Sequence, residues 1–473
     1  YNRIEKMPTS NNNNQDDKKP AAKPSVPEFR SVAIARPQSL AIPGLRSAAP
    51  TEVIDKGAYF APTRTKGDAK TKVVTECKDV KKYCPWTPLK LRPVPAFYPL
   101  ERSSRFVEDG LEAVVDRVSE ANRLLSIHAV YCNKTATATL LTSENVEMHL
   151  SLWKTSGKQE GIVVEIQRRK GDSIAFHRYS RCILDSAAGE FDIKEHVEKN
   201  GDDIDAVFSR KVQRLLTLEK PSDSTSEAEN AIIAIEIAHG LVMKDRIDAR
   251  QLGLESLCLL TDPKKTGHKT AVIASRVVLL GSAQDIDSNA SPEEALLCDE
   301  TPFQEIRQAL LSLIQFRRIG DSDDFDEEDS EESEHITVLH NLALAVLANA
   351  LAVMADDDID SVSSSPEEVV TQRERLDTSE SVSERFLEDS LECSENREIM
   401  KTLISELGKA NLKPHNACLS AKCIGSLCRA SDKARKRAQE LGAKTVVQTA
   451  LEVGTRTHLK LERECSKVMS SLT

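Results

Sequence analysis

Between residue 227 and the C-terminus, apolar side chains recur every three or four positions in one short segment after another, and no alternating, strand-like run separates the segments. The pattern predicts helices over 231–241, 249–260, 271–280, 303–316, 335–354, 397–407, 416–428, 434–441, 446–453 and 459–472. A series of short helices with no sheet to cover can bury its apolar stripes only against neighbouring helices, so the second half of the chain should be an all-α stack built unit on unit. Two interruptions, 321–334 and 356–368, consist largely of acids and serines and read as solvated loops. The first holds ten carboxylates in fourteen residues, a plausible internal competitor for a basic groove, and Ser330, Ser333 and Ser365 are placed there to accept phosphate.

The N-terminal hundred residues are of another kind. Thirteen of the nineteen prolines fall there, with a run of asparagines at 11–14 and no periodicity of either type. Such a segment cannot bury enough apolar area to offset its ordering entropy, which predicts a disordered Pro-rich arm over 1–98. Within it, 83–98 interleaves Trp86, Leu89, Leu91, Val94, Phe97 and Tyr98 with prolines. That mixture suits an extended strap packed on a neighbouring domain, a partner-docking motif being the second reading.

A small α+β module is expected over 99–219. Val107, Leu111, Val114, Val115, Val118, Ala121 and Leu125 predict an amphipathic helix over 105–125. Strand-like runs follow at 126–131, 136–142, 146–153 and 162–167, with a further strand at 173–177 returning through a Lys170-Gly171-Asp172 hairpin. A closing helix over 204–218 would complete an antiparallel sheet with flanking helices.

The stretch VVEIQRRKGDSIAFHRYSRCIL at 163–184 resembles the kinase-associated domain one fold, the likeness resting on Val163, Glu165, Arg168, Gly171, Asp172 and Phe176. That resemblance implies membrane-surface or regulatory binding. The stretch RAQELGAKTVVQTALEVGTRTHLKLERECSKVMSSL at 437–472 is similar to an armadillo repeat, Gly442 and Ala443 making the tight corner, and RIDARQLGLESLCLLTD at 246–262 is similar to the closing helix of such a repeat. The chain therefore reads as multidomain: a disordered arm, an α+β module over 99–219 and an armadillo-like solenoid over 226–473.

No catalytic signature emerges. Glycine-rich phosphate loop, Val-Ala-Ile-Lys, His-Arg-Asp and Asp-Phe-Gly elements are all missing from the sequence, as are dinucleotide fingerprints, a Gly-x-Ser-x-Gly elbow and a His-Glu-x-x-His helix. Cys418, Cys423 and Cys428 recur at a spacing of five, which rotates about 140° per step on a helix and scatters the thiols, so packing and not metal binding is expected of them. No enzyme, cofactor or metal is predicted. Eleven cysteines without tight spacing point to a reducing setting, cytoplasmic with the nucleus as the alternative. A net charge of −11 argues against general nucleic-acid binding, and the richest apolar stretch, 342–354, is too short to span a bilayer. The chain opens on Tyr1 and not Met, which leaves room for upstream sequence.

Two basic clusters are the candidate binding sites. Arg168, Arg169 and Lys170, followed by Arg178 and Arg181, would form a cationic rim for anionic lipid or an acidic peptide. Lys433, Arg435, Lys436 and Arg437 lie in a stretch, 422–467, with eleven Lys/Arg against five Asp/Glu, and would line a groove receiving an acidic protein segment. The expected function is a non-catalytic scaffold or adaptor that holds protein partners on its helical surface, the alternative being a peripheral adaptor on anionic membranes through 168–181.

Overall fold

A computed structural model describes residues 86–94, 103–155, 161–195, 224–283, 300–315, 330–362, 382–392 and 398–472. The arm over 1–85, the rest of the strap at 95–98, the closing helix at 204–218 and most of both acidic loops lie outside the described residues.

Alternating side chains in four strands, β3 (His128–Cys132), β4 (Thr137–Leu141), β5 (Glu147–Lys154) and β6 (Ile162–Lys170), build an antiparallel meander. The preceding β2 (Ser104–Val107) adds antiparallel to the outer edge of β6, giving the order β2-β6-β5-β4-β3. Met148, Leu150 and Leu152 of β5 and Ile162, Val164 and Ile166 of β6 face one way and are buried. The period of two puts every second residue on that face, where α1 (Leu111–Leu124) and α2 (Ser173–Ala187) cover it with Val114, Val118, Phe176, Tyr179 and Ile183. Each such side chain contributes about 1.5–3 kcal/mol on burial. On the opposite face Trp153 Nε1 donates to the buried carboxylate of Glu165 at 3.1 Å, and the Arg92 guanidinium lies 5.0 Å from the Trp153 ring centre. Arg92 belongs to β1 (Arg92–Pro93), which runs parallel to the end of β5 where β4 has already stopped. A few residues earlier, Trp86 is buried and stacks on Tyr131 with ring centres 4.9 Å apart. Leu89, between them, is exposed.

Two elements of the module differ from the sequence-based expectation. Residues 105–107 belong to β2, and the helix begins only at Leu111 behind Gly110, because Phe106 and Val107 pair with Val163 and Ile162. Residues 173–177 are not a returning strand, so the basic residues ahead of them do not form a hairpin tip. Asp172 accepts from Ala175 N at 2.7 Å and caps α2, whose buried residues Ala175, Phe176, Tyr179, Ser180, Ile183 and Leu184 follow the helical period. Gly171, at φ 97°, turns the chain where a Cβ would come within 2.7 Å of Asn145 O.

The C-terminal part is mostly helical: α3 (Ser224–Val242), α4 (Ile247–Leu260), a single turn α5 (Pro263–Thr266), α6 (His268–Leu280), α7 (Thr301–Gln315), α8 (Ser330–Val362), α9 (Val382–Glu392), α10 (Ile399–Gly408), α11 (Pro414–Ala430), α12 (Asp432–Glu440), α13 (Ala443–Thr457) and α14 (Leu459–Leu472). Neighbours repeat in a regular order. α4, α8, α11 and α14 pack in succession; so do α3, α7, α10 and α13, and so do α6, α9 and α12. Gly442, at φ 73°, makes the corner between α12 and α13. Within α8 the stretch His335–Asp356 reaches a mean hydropathy of 1.9 and is long and apolar enough to cross a membrane by length and composition. Here Ala343, Leu344, Leu347 and Leu351 are buried against α4, α6 and α11, as a helix apolar on every side requires.

The helix α9 was not expected from its Ser- and Glu-rich sequence; Phe386 and Leu387 anchor it in the core. Conversely, 330–334 and 356–362, assigned to acidic loops, are end turns of α8, so Ser330 and Ser333 lie on helical backbone. Acidic residues at a helix start are favoured by its dipole, which charge counting overlooks.

Candidate partner-binding surfaces

The first basic cluster is divided between two elements. Arg168, Arg169 and Lys170 end β6, while Arg178 and Arg181 stand on α2. Arg178 pairs with Glu144 at 2.6 Å and lies over the Tyr179 ring, Arg181 faces Asp185 at 3.5 Å, and Arg168 donates to Gly171 O at 3.0 Å. Asp185 is shared with Arg105 at 3.0 Å. Most of the expected rim is therefore held by the module's own acceptors.

The second cluster lies on α12 and is paired more tightly still. Lys433 reaches Glu388 of α9 at 2.8 Å, Arg435 pairs with Asp432 at 2.8 Å, and Arg437 grips the nearly buried Glu398 through two nitrogens at 2.7 and 2.9 Å. Glu398 also raises the affinity of the Arg437 guanidinium for its proton. Lys436 is exposed, with no such partner among the described residues. Lys433 and Arg437 thus tie α12 to α9 and to the start of α10, while Arg435 pairs within its own helix. On α11, Cys423 and Cys428 are buried and Cys418 is half-buried, and burial pushes the first two thiols up to about 12 and about 11.

A different surface stands out at the other end of the helical part. On α3, Ala231, Ile235, Ala238 and Val242 are buried, whereas Ile233 and Ile237, about 200° away around the helix from Ile235, are 53% and 63% exposed. On α4, Leu254 and Leu257 are buried while Leu252 and Leu259 are each 53% exposed. Both helices turn their inner faces toward α6, α7 and α8, so the exposed side chains occupy the outer faces of the first helix pair.

The sheet module joins the helical part through a buried polar seam. His415 Nε2 donates to Leu141 O at 2.9 Å, His458 Nε2 donates to His415 Nδ1 at 3.1 Å, and Leu461 N donates to His458 Nδ1 at 3.1 Å. This chain of donors requires both imidazoles to be neutral and protonated on Nε2. Burial, aided by the positive neighbour Lys460 and by His128, holds His415 down to about 4 and His458 well below its ordinary value. Beside it Lys460 N donates to Ser126 Oγ at 2.9 Å, and Arg123 forks onto Glu120 at 2.8 Å and Glu462 at 3.2 Å. The partners are more than 270 residues apart in sequence, so spacing gives no sign of them. The outer face of α3 did leave a sign, since residues 231–242 are apolar apart from Glu236, His239 and Gly240, more apolar positions than one buried face uses.

The fold is an antiparallel sheet with flanking helices joined to a helical array. No family model matches the chain, and no curated protein or solved structure is significantly similar to it.

Proposed function

We propose that the chain is a non-catalytic protein-binding scaffold whose helical part is an armadillo-like stack, with the sheet module, like kinase-associated domain one, serving location or regulation. The repeated neighbour order supports the stack: α6-α7-α8, α9-α10-α11 and α12-α13-α14 behave as successive three-helix units, with α3-α4 as the last two helices of a first unit. In the module a helix precedes a four-strand meander, which supports that resemblance, whereas a helix follows Gly171 and Asp172 directly where the resemblance implies a returning strand.

The observation that carries the reading is the exposed apolar surface of α3 and α4. A terminal unit with a polar outer face would need nothing further, whereas Ile233, Ile237, Leu252 and Leu259 present the kind of surface on which each inner unit receives its neighbour. An amphipathic helix of a partner protein is the matching occupant. Binding of anionic lipid through 168–181 is the weaker reading, because Arg178 and Arg181 already face carboxylates.

The test is affinity capture from cell extract by the full chain and by an Ile237→Asp, Leu259→Asp variant with an unchanged melting temperature. Proteins retained by the first and lost by the second support the reading; identical sets of retained proteins refute it.

A further inference from the structure

A second binding site is formed where the sheet module meets the helical part. Between α1, the edge strand β3, the turn from α10 into α11 and the end of α13 lies a cleft of about 820 Å³. Its floor is apolar and aromatic: Val115, Ile127 and the stacked pair Trp86 and Tyr131. Glu112 and Asp116 stand on the α1 wall, exposed and without an ion-pair or hydrogen-bond partner among the described residues. Glu120, one turn further on, is already neutralised by Arg123 and Lys194, and of the cations that line the cleft only Arg456 has no carboxylate partner among the described residues, one charge against the two of Glu112 and Asp116. The side chain of Asn122 is 1% exposed and lines the same cleft; its Nδ2 donates to Tyr131 Oη at 3.2 Å, and its Oδ1 is buried without a partner. A buried acceptor left this way is costly unless something entering the site donates to it.

The geometry points to an extended segment of a partner protein, alternating basic and apolar residues, that lies in this cleft alongside β3. Three features select that occupant. First, among the described residues β3 ends the sheet, pairing with β4 alone, and an edge strand presents alternate backbone donors and acceptors that an added strand can use. Second, Glu112 and Asp116 are one helical turn apart, about 6 Å along the axis, which matches the roughly 6.7 Å between alternate side chains of an extended chain. Third, side chains of the opposite parity would meet the apolar floor. A free cation would engage the two carboxylates but leave the floor uncovered, and an acidic segment would oppose them. The site rests on the general reading of the chain as protein-binding, but it shares no residue with the outer face of α3 and α4.

The experiment is fluorescence anisotropy of a labelled, acetylated and amidated heptapeptide alternating leucine and arginine, titrated with the full chain. A leucine–glutamate peptide serves as the control. The expected result is saturable binding of the arginine peptide only, weakened about fivefold to tenfold by Glu112→Gln with Asp116→Asn, as loss of two exposed charge contacts implies. Glu229→Gln with Glu236→Gln on α3, and separately Ile237→Asp with Leu259→Asp, should leave it unchanged. Equal binding of both peptides, no effect of the α1 pair, or a loss that instead follows the α3 carboxylates would overturn the assignment. Loss of captured proteins in the α3–α4 variant with peptide binding intact would separate the two sites.

Discussion

Gly171 carries more of the module's geometry than any charged residue near it. It holds φ 97° between the last basic residue of β6 and the Asp172 cap, with the backbone of Asn145 and Val146 pressed against the position a Cβ would occupy. A Gly171→Ala variant therefore combines a strained backbone with a steric clash, and should lose roughly 1–3 kcal/mol of stability in urea titration. A loss within 0.5 kcal/mol, the usual range for a neutral surface change, would mean that the turn relaxes freely. The Gly-Asp pair in the sequence announces a sharp turn, but it does not say whether a strand or a helix follows. The helix is decided by Asp172 accepting from Ala175 N and by the burial of Phe176, Tyr179 and Ile183 against α1 and the sheet. Five residues with strand-like composition were too few to show the helical period that the next ten reveal.

Among the elements, α12 illustrates how a charge cluster acquires a structural role. Its basic residues read alike in sequence, yet Arg437 meets the almost buried Glu398 through two nitrogens while Lys436 faces solvent. Removing Arg437 leaves a carboxylate shielded from water and unpaired, whereas removing Lys436 leaves nothing unpaired. Because the guanidinium is itself partly exposed, Arg437→Ala should cost about 1–3 kcal/mol, less than a fully buried pair, and Lys436→Ala within about 0.5 kcal/mol of zero. Equal effects in urea unfolding would show that Glu398 is solvated and that α12 holds to the start of α10 by packing alone. The same scale explains why α9 escaped notice in the sequence. Among its described residues Val382, Phe386 and Leu387 are the buried apolar side chains of a helix otherwise rich in acids and serine, and the residues that hold it, Lys433 and Arg307, come from other helices.

For the molecule as a whole, the seam makes stability depend on pH. The unfolded imidazole titrates near 6.5, whereas His415 in the folded protein does so at about 4 and burial holds His458 well below its ordinary value. Above 6.5 both states hold neutral rings and the contribution is complete. Below it the unfolded chain takes up protons that the folded chain refuses, so stability falls as pH drops, and His415's share of the fall ends near 4. That share is about 3 kcal/mol at most. Urea titrations near pH 7.5 and near pH 5 should differ in that direction, and a His415→Gln, His458→Gln variant should be less stable at neutral pH but flatter in its response between 7 and 5. An unchanged pH response in that variant would place the acid sensitivity at other groups; the carboxyl of Glu406, held down to about 2, loses its contribution only below about pH 4.5 and so lies outside this window.

Periodicity alone determined the four-strand meander and the succession of helices from α3 to α14 apart from α5 and α9, because a side chain's distance from the next apolar residue is a local property that the sequence carries directly. It also placed Trp86 in a segment suited to packing on a neighbouring domain. Pairing across long separations had to await the tertiary structure. Glu388 and Glu398 neutralise the cluster on α12, Glu144 and Asp185 hold Arg178 and Arg181, and Leu141 O meets His415. Whether a charge is available to a partner depends on which carboxylate the fold brings within about 3 Å of it, and whether an isoleucine is buried depends on which helix lies against it. Neither is written in the spacing of residues along one segment, so the pairing of Arg178, Arg181, Lys433 and Arg437, and which apolar side chains of α3 and α4 stay exposed, were decided by the packing of the folded chain.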